Sequence, residues 1–182
     1  MLGDVSDLLW DCFRVVNYDA RGHGESGYTT EPADYTWPAL AGDMYHLMRH
    51  LGVERAHVGG GSMGAGTSIL FALAHPEMVE RLVLIMPPPM LPESFATAGP
   101  VFNGLAMLIE RDGLEAAVNV AVNLPPLSDY RETDPERFEW MRQWLLSQNA
   151  TSLVPAIRGV INGPPVPYER FPEIEAPTLI IA

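Results

Sequence analysis

Four short apolar runs punctuate the chain, at residues 13–18, 56–58, 81–86 and 177–182. They are rich in β-branched side chains and do not alternate strictly with polar ones. That is the pattern of strands covered on both faces of a parallel sheet. Helical periodicities lie between them. Leu40, Met44, Leu47, Met48 and Leu51 recur at helical spacing and predict a helix over 37–51, stopped by Gly52. An Ala- and Leu-rich stretch predicts a second helix over 63–74, ended by His75-Pro76. Strand–helix–strand–helix–strand order implies right-handed βαβ units around a parallel sheet.

From residue 90 to 171 the texture becomes helical. Residues 101–110 and 114–122 carry helical patterns, and the first twelve residues, with Leu8, Leu9 and Trp10, read as a further helix. Thr133-Asp134-Pro135-Glu136 resembles a capping box with Pro at an early helical position. The helix it opens places Phe138, Met141, Trp144 and Leu145 on one stripe, which Val154, Ile157 and Ile161 continue. The proline-rich stretch 163–167 breaks the pattern. The expected organisation is an α/β core over 1–90, a helical insertion over 91–172 and a return to the sheet over 173–182.

Composition narrows the function classes. The chain of 182 residues is 47% apolar and 19% charged, which suits a folded domain with a real core. A formal charge of −12 argues against a nucleic-acid surface and against anionic membranes. The single Cys12 cannot form an internal disulfide, no Cys/His cluster has zinc spacing, and no apolar run has the length of a membrane span. Asp4 and Asp7 stand where a secretory signal would be basic, so a cytoplasmic protein without metal or cofactor is expected.

The chemistry centres on Gly60-Gly61-Ser62-Met63-Gly64. A G-x-S-x-G pentapeptide arises by chance about 0.06 times in a chain with this Gly and Ser content, so context decides its meaning. Here a strand precedes it and an Ala-rich helix follows, which is the strand–turn–helix of a nucleophile elbow. Ser62 would then present its hydroxyl at the C-terminal edge of the sheet, and the Met63 N–H would point at a developing oxyanion. A phosphate-binding turn is the bland alternative. Gly59, Gly61 and Gly64 formally satisfy G-x-G-x-x-G, but the next strand ends in Met86 and prolines rather than an acidic residue, and no Lys lies near the turn.

A second string, Asp19-Ala20-Arg21-Gly22-His23-Gly24-Glu25-Ser26, follows the first apolar run. With the elbow, His75-Pro76-Glu77 and the strand over 81–86, it resembles the α/β-hydrolase superfamily, most closely its small cofactor-free esterase and lactonase branch, such as 3-oxoadipate enol-lactonase-like proteins. The resemblance implies a partial α/β-hydrolase fold: a mostly parallel sheet flanked by helices, with a helical cap. It implies Ser62 as nucleophile and Met63 as one oxyanion donor, with an ester or lactone as small-molecule substrate. Asp19, Arg21 and His23 fall in a loop that usually serves packing in the family, so His23, although a base by type, is expected to be structural. Phe102, Met107, Leu108, Trp140 and Trp144 would line an apolar pocket in the cap, of which Phe102, Trp140 and Trp144 are the substrate-binding candidates.

The remaining histidines carry less. His46 and His50 share a helix face without a carboxylate to complete H-E-x-x-H, so a solvated face is the expectation. His75 ends a helix, where the macrodipole favours it without function. In this fold the acid and the His base follow the Ser in chain order. Glu93 is the sole carboxylate near the end of the 81–86 strand, and His75 the sole His after Ser62. The acid, the base and the second oxyanion donor are therefore expected outside 1–182, and this chain alone is expected to be nearly inactive. A Ser nucleophile argues against the dehalogenase and epoxide-hydrolase branches, which attack with Asp. Carbon–carbon bond hydrolysis, perhydrolysis and a non-catalytic ligand-binding role remain the alternatives.

Overall fold

The computed structural model describes residues 8–88, 92–125 and 127–181. Three strands form one parallel sheet in the order β1 (Ala56–Gly61), β2 (Val79–Ile85), β3 (Thr178–Ile181). Gly61 lies opposite Ile85, and Ile85 opposite Ile181, so the three strands end level with one another. Between β1 and β2 runs α2 (Met63–Ala74), and α1 (Trp37–His50) packs beside it. Between β2 and β3 the described residues form five α-helices, α3 (Pro92–Asp112), α4 (Leu114–Ala121), α5 (Tyr130–Thr133), α6 (Pro135–Leu146) and α7 (Ala150–Asn162), and a 3-10 turn at Tyr168–Glu173. The parallel, helix-connected sheet of an α/β-hydrolase fold is thus present.

The core is built where the periodicity placed it. Leu40, Met44 and Met48 of α1 pack with Ile69 and Phe71 of α2 and with Val58 and Leu82 of the sheet. A second cluster, with Ala106, Ile109, Ala117 and Val154, joins α3, α4 and α7. The α1–α2 contact depends on a missing side chain. A Cβ at Gly66 would lie 2.4 Å from the Trp37 ring, so only glycine lets the fully buried indole lie against α2.

Several elements differ from the sequence pattern. Residues 13–18 form no strand: no described strand pairs with them, and Phe13, Val16 and Tyr18 are 40–48% exposed. A strand is defined by its ladder, and apolar β-propensity does not create one without a paired neighbour. Phe13 instead meets the His57 ring edge-on at 5.6 Å. Residues 8–12 make turns rather than a helix, and the rest of that expected helix, 1–7, falls outside the described residues. Residues 89–91, where the core and the helical region were expected to divide, also lie outside them, as does Ala182.

Strand β1 runs three residues past its apolar run, because the backbone ladder with Val83 to Ile85 needs no side chains. Helix α3 extends through Pro100, nine residues before the predicted start, and α7 contains Pro155. The cap of α6 is Asp134 rather than Thr133. The Asp134 carboxylate accepts from Arg137 N–H at 3.1 Å, while the Thr133 hydroxyl donates to the Asp129 carbonyl at 2.6 Å. On α6, Phe138, Met141 and Leu145 are half-buried, but Trp144 faces outward.

Two glycine substitutions separate packing from propensity. Gly66→Ala should destabilise the protein by about 1–3 kcal/mol, because a methyl group must displace the indole. Gly104→Ala, on an exposed turn of α3 with open space at the Cβ position, should stabilise it by up to about 1 kcal/mol. Urea midpoints of the two variants check both signs.

Candidate active site

The turn from β1 into α2 is tight and strained. Ser62 has φ 49° and ψ −111°, a region that non-glycine residues seldom occupy. Its N–H donates to the Ile85 carbonyl at 2.9 Å, and its own carbonyl accepts from Ala65 N–H at 3.0 Å and Gly66 N–H at 3.2 Å. The strand and the helix thus hold the residue from both sides. A glycine is required at position 60 for a measurable reason: a Cβ there would lie 2.4 Å from the Gly64 carbonyl carbon. Met86, following β2 at the same edge, also has positive φ, at 45°. The first N–H groups of α2, Met63 among them, have no carbonyl of their own helix to bond and carry the positive end of its dipole.

Ser62 and Met63 open into a cavity of about 130 Å³. Ala98 and Phe102 of α3 wall it on one side, and Leu153, Ala156, Ile157, Val160 and Ile161 of α7 on another. Trp37, Pro88 and His23 complete the lining. Phe102 is therefore brought to Ser62. Trp140 and Trp144 are not: both are nearly half exposed on α6 and do not line this cavity. Ile157 and Ile161 of the predicted stripe face the cavity, whereas Val154 packs in the second cluster.

The 19–26 loop explains its own sequence string. Arg21 reaches Asp43 of α1 through two hydrogen bonds, 2.9 Å from Nε and 2.6 Å from one terminal nitrogen. That hydrogen bond is the main cause holding the guanidinium above its ordinary pKa. The Asp19 carboxylate accepts from Glu25 N–H at 3.1 Å, and Ser26 Oγ donates to the Asp19 carbonyl at 2.7 Å. Gly24, at φ 51°, sits so close to Asp19 that any side chain would overlap the carboxylate. From the other side, the buried Ser152 of α7 donates to the Gly22 carbonyl at 2.7 Å. Asp19, Arg21 and Ser26 are thus held by contacts within the loop and to α1.

His23 does two things. Its Nδ1 lies 3.1 Å from the Arg21 carbonyl, and a carbonyl only accepts, so Nδ1–H is the donor of that contact. His23 also lines the cavity with Ser62, although its place in the loop favoured a structural role alone. Trp37 was missed as well, because a Trp opening an amphipathic helix reads as ordinary core.

The other histidines lie elsewhere. His75 stacks on Tyr45 at 4.4 Å between centroids, with Nδ1 3.8 Å from Glu77. His57 approaches Glu80 at 4.0 Å, and His46 and His50 are exposed. The side chain of Glu93 lies outside the described residues. Among the described residues no three His, Cys, Asp or Glu side chains gather as a metal site, and no helix is long and apolar enough to cross a membrane.

The strain at Ser62 is measurable. Ser62→Gly should raise folding stability by about 1 kcal/mol, since glycine adopts the turn conformation freely, whereas Ser62→Ala should leave it nearly unchanged. Thermal unfolding of the pair is the check.

The family model of the α/β hydrolase fold matches residues 5–153. The chain is 31% identical over 189 aligned residues to 2-hydroxy-6-oxononadienedioate/2-hydroxy-6-oxononatrienedioate hydrolase 2 of Pseudomonas putida, covering 98% of this chain and 62% of that protein. The enol-lactonase from Burkholderia xenovorans LB400 superposes with a TM-score of 0.82 at 27% identity, covering 100% of this chain and 66% of that one. A thermophilic esterase from Thermogutta terrifontis gives a TM-score of 0.79 at 30% identity, covering 96% and 62%. The chain spans 56–65% of the length of the curated relatives it matches along most of its own length. Motif, elbow geometry and these likenesses agree, and the chain belongs to the α/β hydrolase fold family.

Proposed function

We propose that this chain carries the nucleophile half of a serine hydrolase that cleaves esters or lactones through an acyl-enzyme. The observation that carries the reading is Ser62, held at positive φ between β1 and α2 and opening into an apolar cavity. Strain at one residue persists only when its surroundings over-determine it, and a nucleophile raised above the sheet edge is the use such a turn serves.

The chemistry follows from the positions. Ser62 Oγ attacks the carbonyl carbon as its proton passes to a base. The tetrahedral oxyanion takes a hydrogen bond from Met63 N–H at the positive end of α2. Collapse expels the alkoxide, which recovers the proton, and water then cleaves the acyl–serine bond to return Ser62 and a carboxylic acid. In a lactone the alkoxide stays tethered to the acyl group, and the product is a hydroxy acid. The apolar walls formed by Phe102, Ile157 and Val160 receive the acyl chain.

In this fold the acid and the His base come after the nucleophile along the chain. His75, at the far end of α2 against Tyr45, does not line the cavity and is not that base. Residues 1–182 alone should therefore be nearly inactive. Hydrolysis of a carbon–carbon bond is the second reading, favoured by the likeness to the 2-hydroxy-6-oxononadienedioate hydrolase. It shares Ser62 and the cavity and differs in the bond presented.

The test is kinetic. Residues 1–182 should hydrolyse a short p-nitrophenyl ester no faster than their Ser62→Ala variant. In a protein carrying this chain at the full length of its relatives, Ser62→Ala should lower kcat by about 10³-fold or more. Full-length activity indifferent to Ser62→Ala would overturn the serine-hydrolase reading, whereas no hydrolysis of esters or lactones at full length, with no labelling of Ser62 by a fluorophosphonate, would support the non-catalytic alternative.

A further inference from the structure

Helix α7 presents two faces of opposite character. Leu153, Ala156, Ile157, Val160 and Ile161 line the cavity of Ser62. Thr151, Val154, Pro155 and Arg158 line a separate groove, shared with Glu110 of α3. Arg158 is held there by an ion pair with Glu110 at 2.6 Å. The chain has no lysine, so all 11 of its basic residues are arginines. Among the described residues, none of them lines the Ser62 cavity. Arg21, on the loop that carries His23, is bound to Asp43 of α1 instead. His23 is the one lining side chain able to take a positive charge, and its Nδ1–H is spent on the Arg21 carbonyl. The hydrocarbon wall is also fixed in place. A side chain at Gly159 would overlap the Pro32 carbonyl, so α7 lies directly on the 32–35 turn, and the buried Ser152 ties it to the Gly22 carbonyl. Turning α7 to bring Arg158 towards Ser62 would break both contacts.

We infer that the acyl group this site accepts is uncharged and apolar, a short aliphatic chain without a terminal carboxylate. A carboxylate placed among these walls would lose its water and gain no arginine or lysine in return, and only pairing offsets that loss. The formal charge of −12 adds a field that repels anions. A methylene chain meets the opposite balance, because burying it against hydrocarbon is favourable. Size limits the chain. A dry cavity of about 150 Å³ holds one benzene, so about 130 Å³ admits roughly six carbons or fewer. Esters of short monocarboxylic acids, and lactones with alkyl substituents, are thus preferred over esters of dicarboxylic acids. The half-buried Ile157 and Ile161 act as specificity-determining residues, since each puts hydrocarbon where an anion would need a partner. Calling the ligand an acyl group rests on the serine-hydrolase reading, whereas the polarity of the walls does not.

The test compares two esters of equal acyl length and different charge, methyl hexanoate and monomethyl adipate, whose free carboxyl is ionised. Binding is measured on the Ser62→Ala variant of this chain, so that no turnover intervenes. Isoleucine δ1 methyl groups carry ¹³C, and the signals of Ile157 and Ile161 are assigned by their loss in Ile157→Val and Ile161→Val. Methyl hexanoate should shift both signals and bind at least about tenfold more tightly than the adipate monoester. The preference should hold at about pH 6 and at about pH 8, on either side of the ordinary imidazole titration, and so be independent of the charge on His23. Ile161→Lys, which carries an ammonium into the wall, should move the ratio towards the monoester by about tenfold. The comparison of ligands in the unaltered wall is decisive, so a poorly folding Ile161→Lys does not spoil it. No binding of methyl hexanoate, binding that leaves Ile157 and Ile161 unmoved, or equal or tighter binding of the monoester at either pH overturns the inference. At the full length of the relatives, kcat/KM for the p-nitrophenyl monoesters of hexanoic and adipic acids should follow the same order, and the reverse order overturns it too. Failure of the serine-hydrolase reading shows separately, as activity indifferent to Ser62→Ala, and leaves the binding result standing.

Discussion

The close approach of β1 and α2 at Ser62 is the contact on which the rest of the structure depends. A parallel strand must hand the chain to a helix within one residue, and the handover succeeds because Gly60 has no side chain to strike the Gly64 backbone. The same constraint puts Ser62 at positive φ and ties its N–H to Ile85 of β2. Strain, position and hydrogen bonding are thus one feature seen three ways. The strain is tolerated because the ladder on one side and the first helical turn on the other leave no cheaper conformation.

Around that point the molecule arranges two supports. Below, Trp37 lies on Gly66 and locks α1 against α2, so the elbow stands on a packed base. Beside it, the 19–26 loop is braced by Arg21–Asp43 towards α1 and by Ser152 towards α7. The second brace matters for the cavity, because α7 supplies most of its apolar wall. A single buried hydroxyl, that of Ser152, therefore links the loop carrying His23 to the helix facing Ser62. Rigid placement of few polar groups in an apolar wall is how small-molecule sites obtain orientation as well as affinity.

Much of this was legible in the residues. The apolar runs that became β1, β2 and β3 were visible, as were α1 and α2 with their ends, because periodicity and helix-stop residues act locally. The elbow was legible because its requirement for small residues around one serine is steric and short-range. The run at 13–18 misled because its side chains suit a strand while pairing depends on a neighbour that local pattern does not reveal. Trp144 misled because a helical stripe identifies one face of α6 but not which of its edges the rest of the molecule covers.

The sequence by itself determined the fold class and the strand–turn–helix at Ser62, the latter a consequence of contacts within a few tens of residues. Only the tertiary structure decided what shares the cavity with Ser62. Phe102, Ile157 and Val160 come from helices far along the chain, and His23 and Trp37 from opposite sides of the loop region. The physical reason is that a cavity is defined by what packing leaves unfilled. That depends on how whole helices settle against the sheet, a long-range outcome that no local pattern of residues encodes.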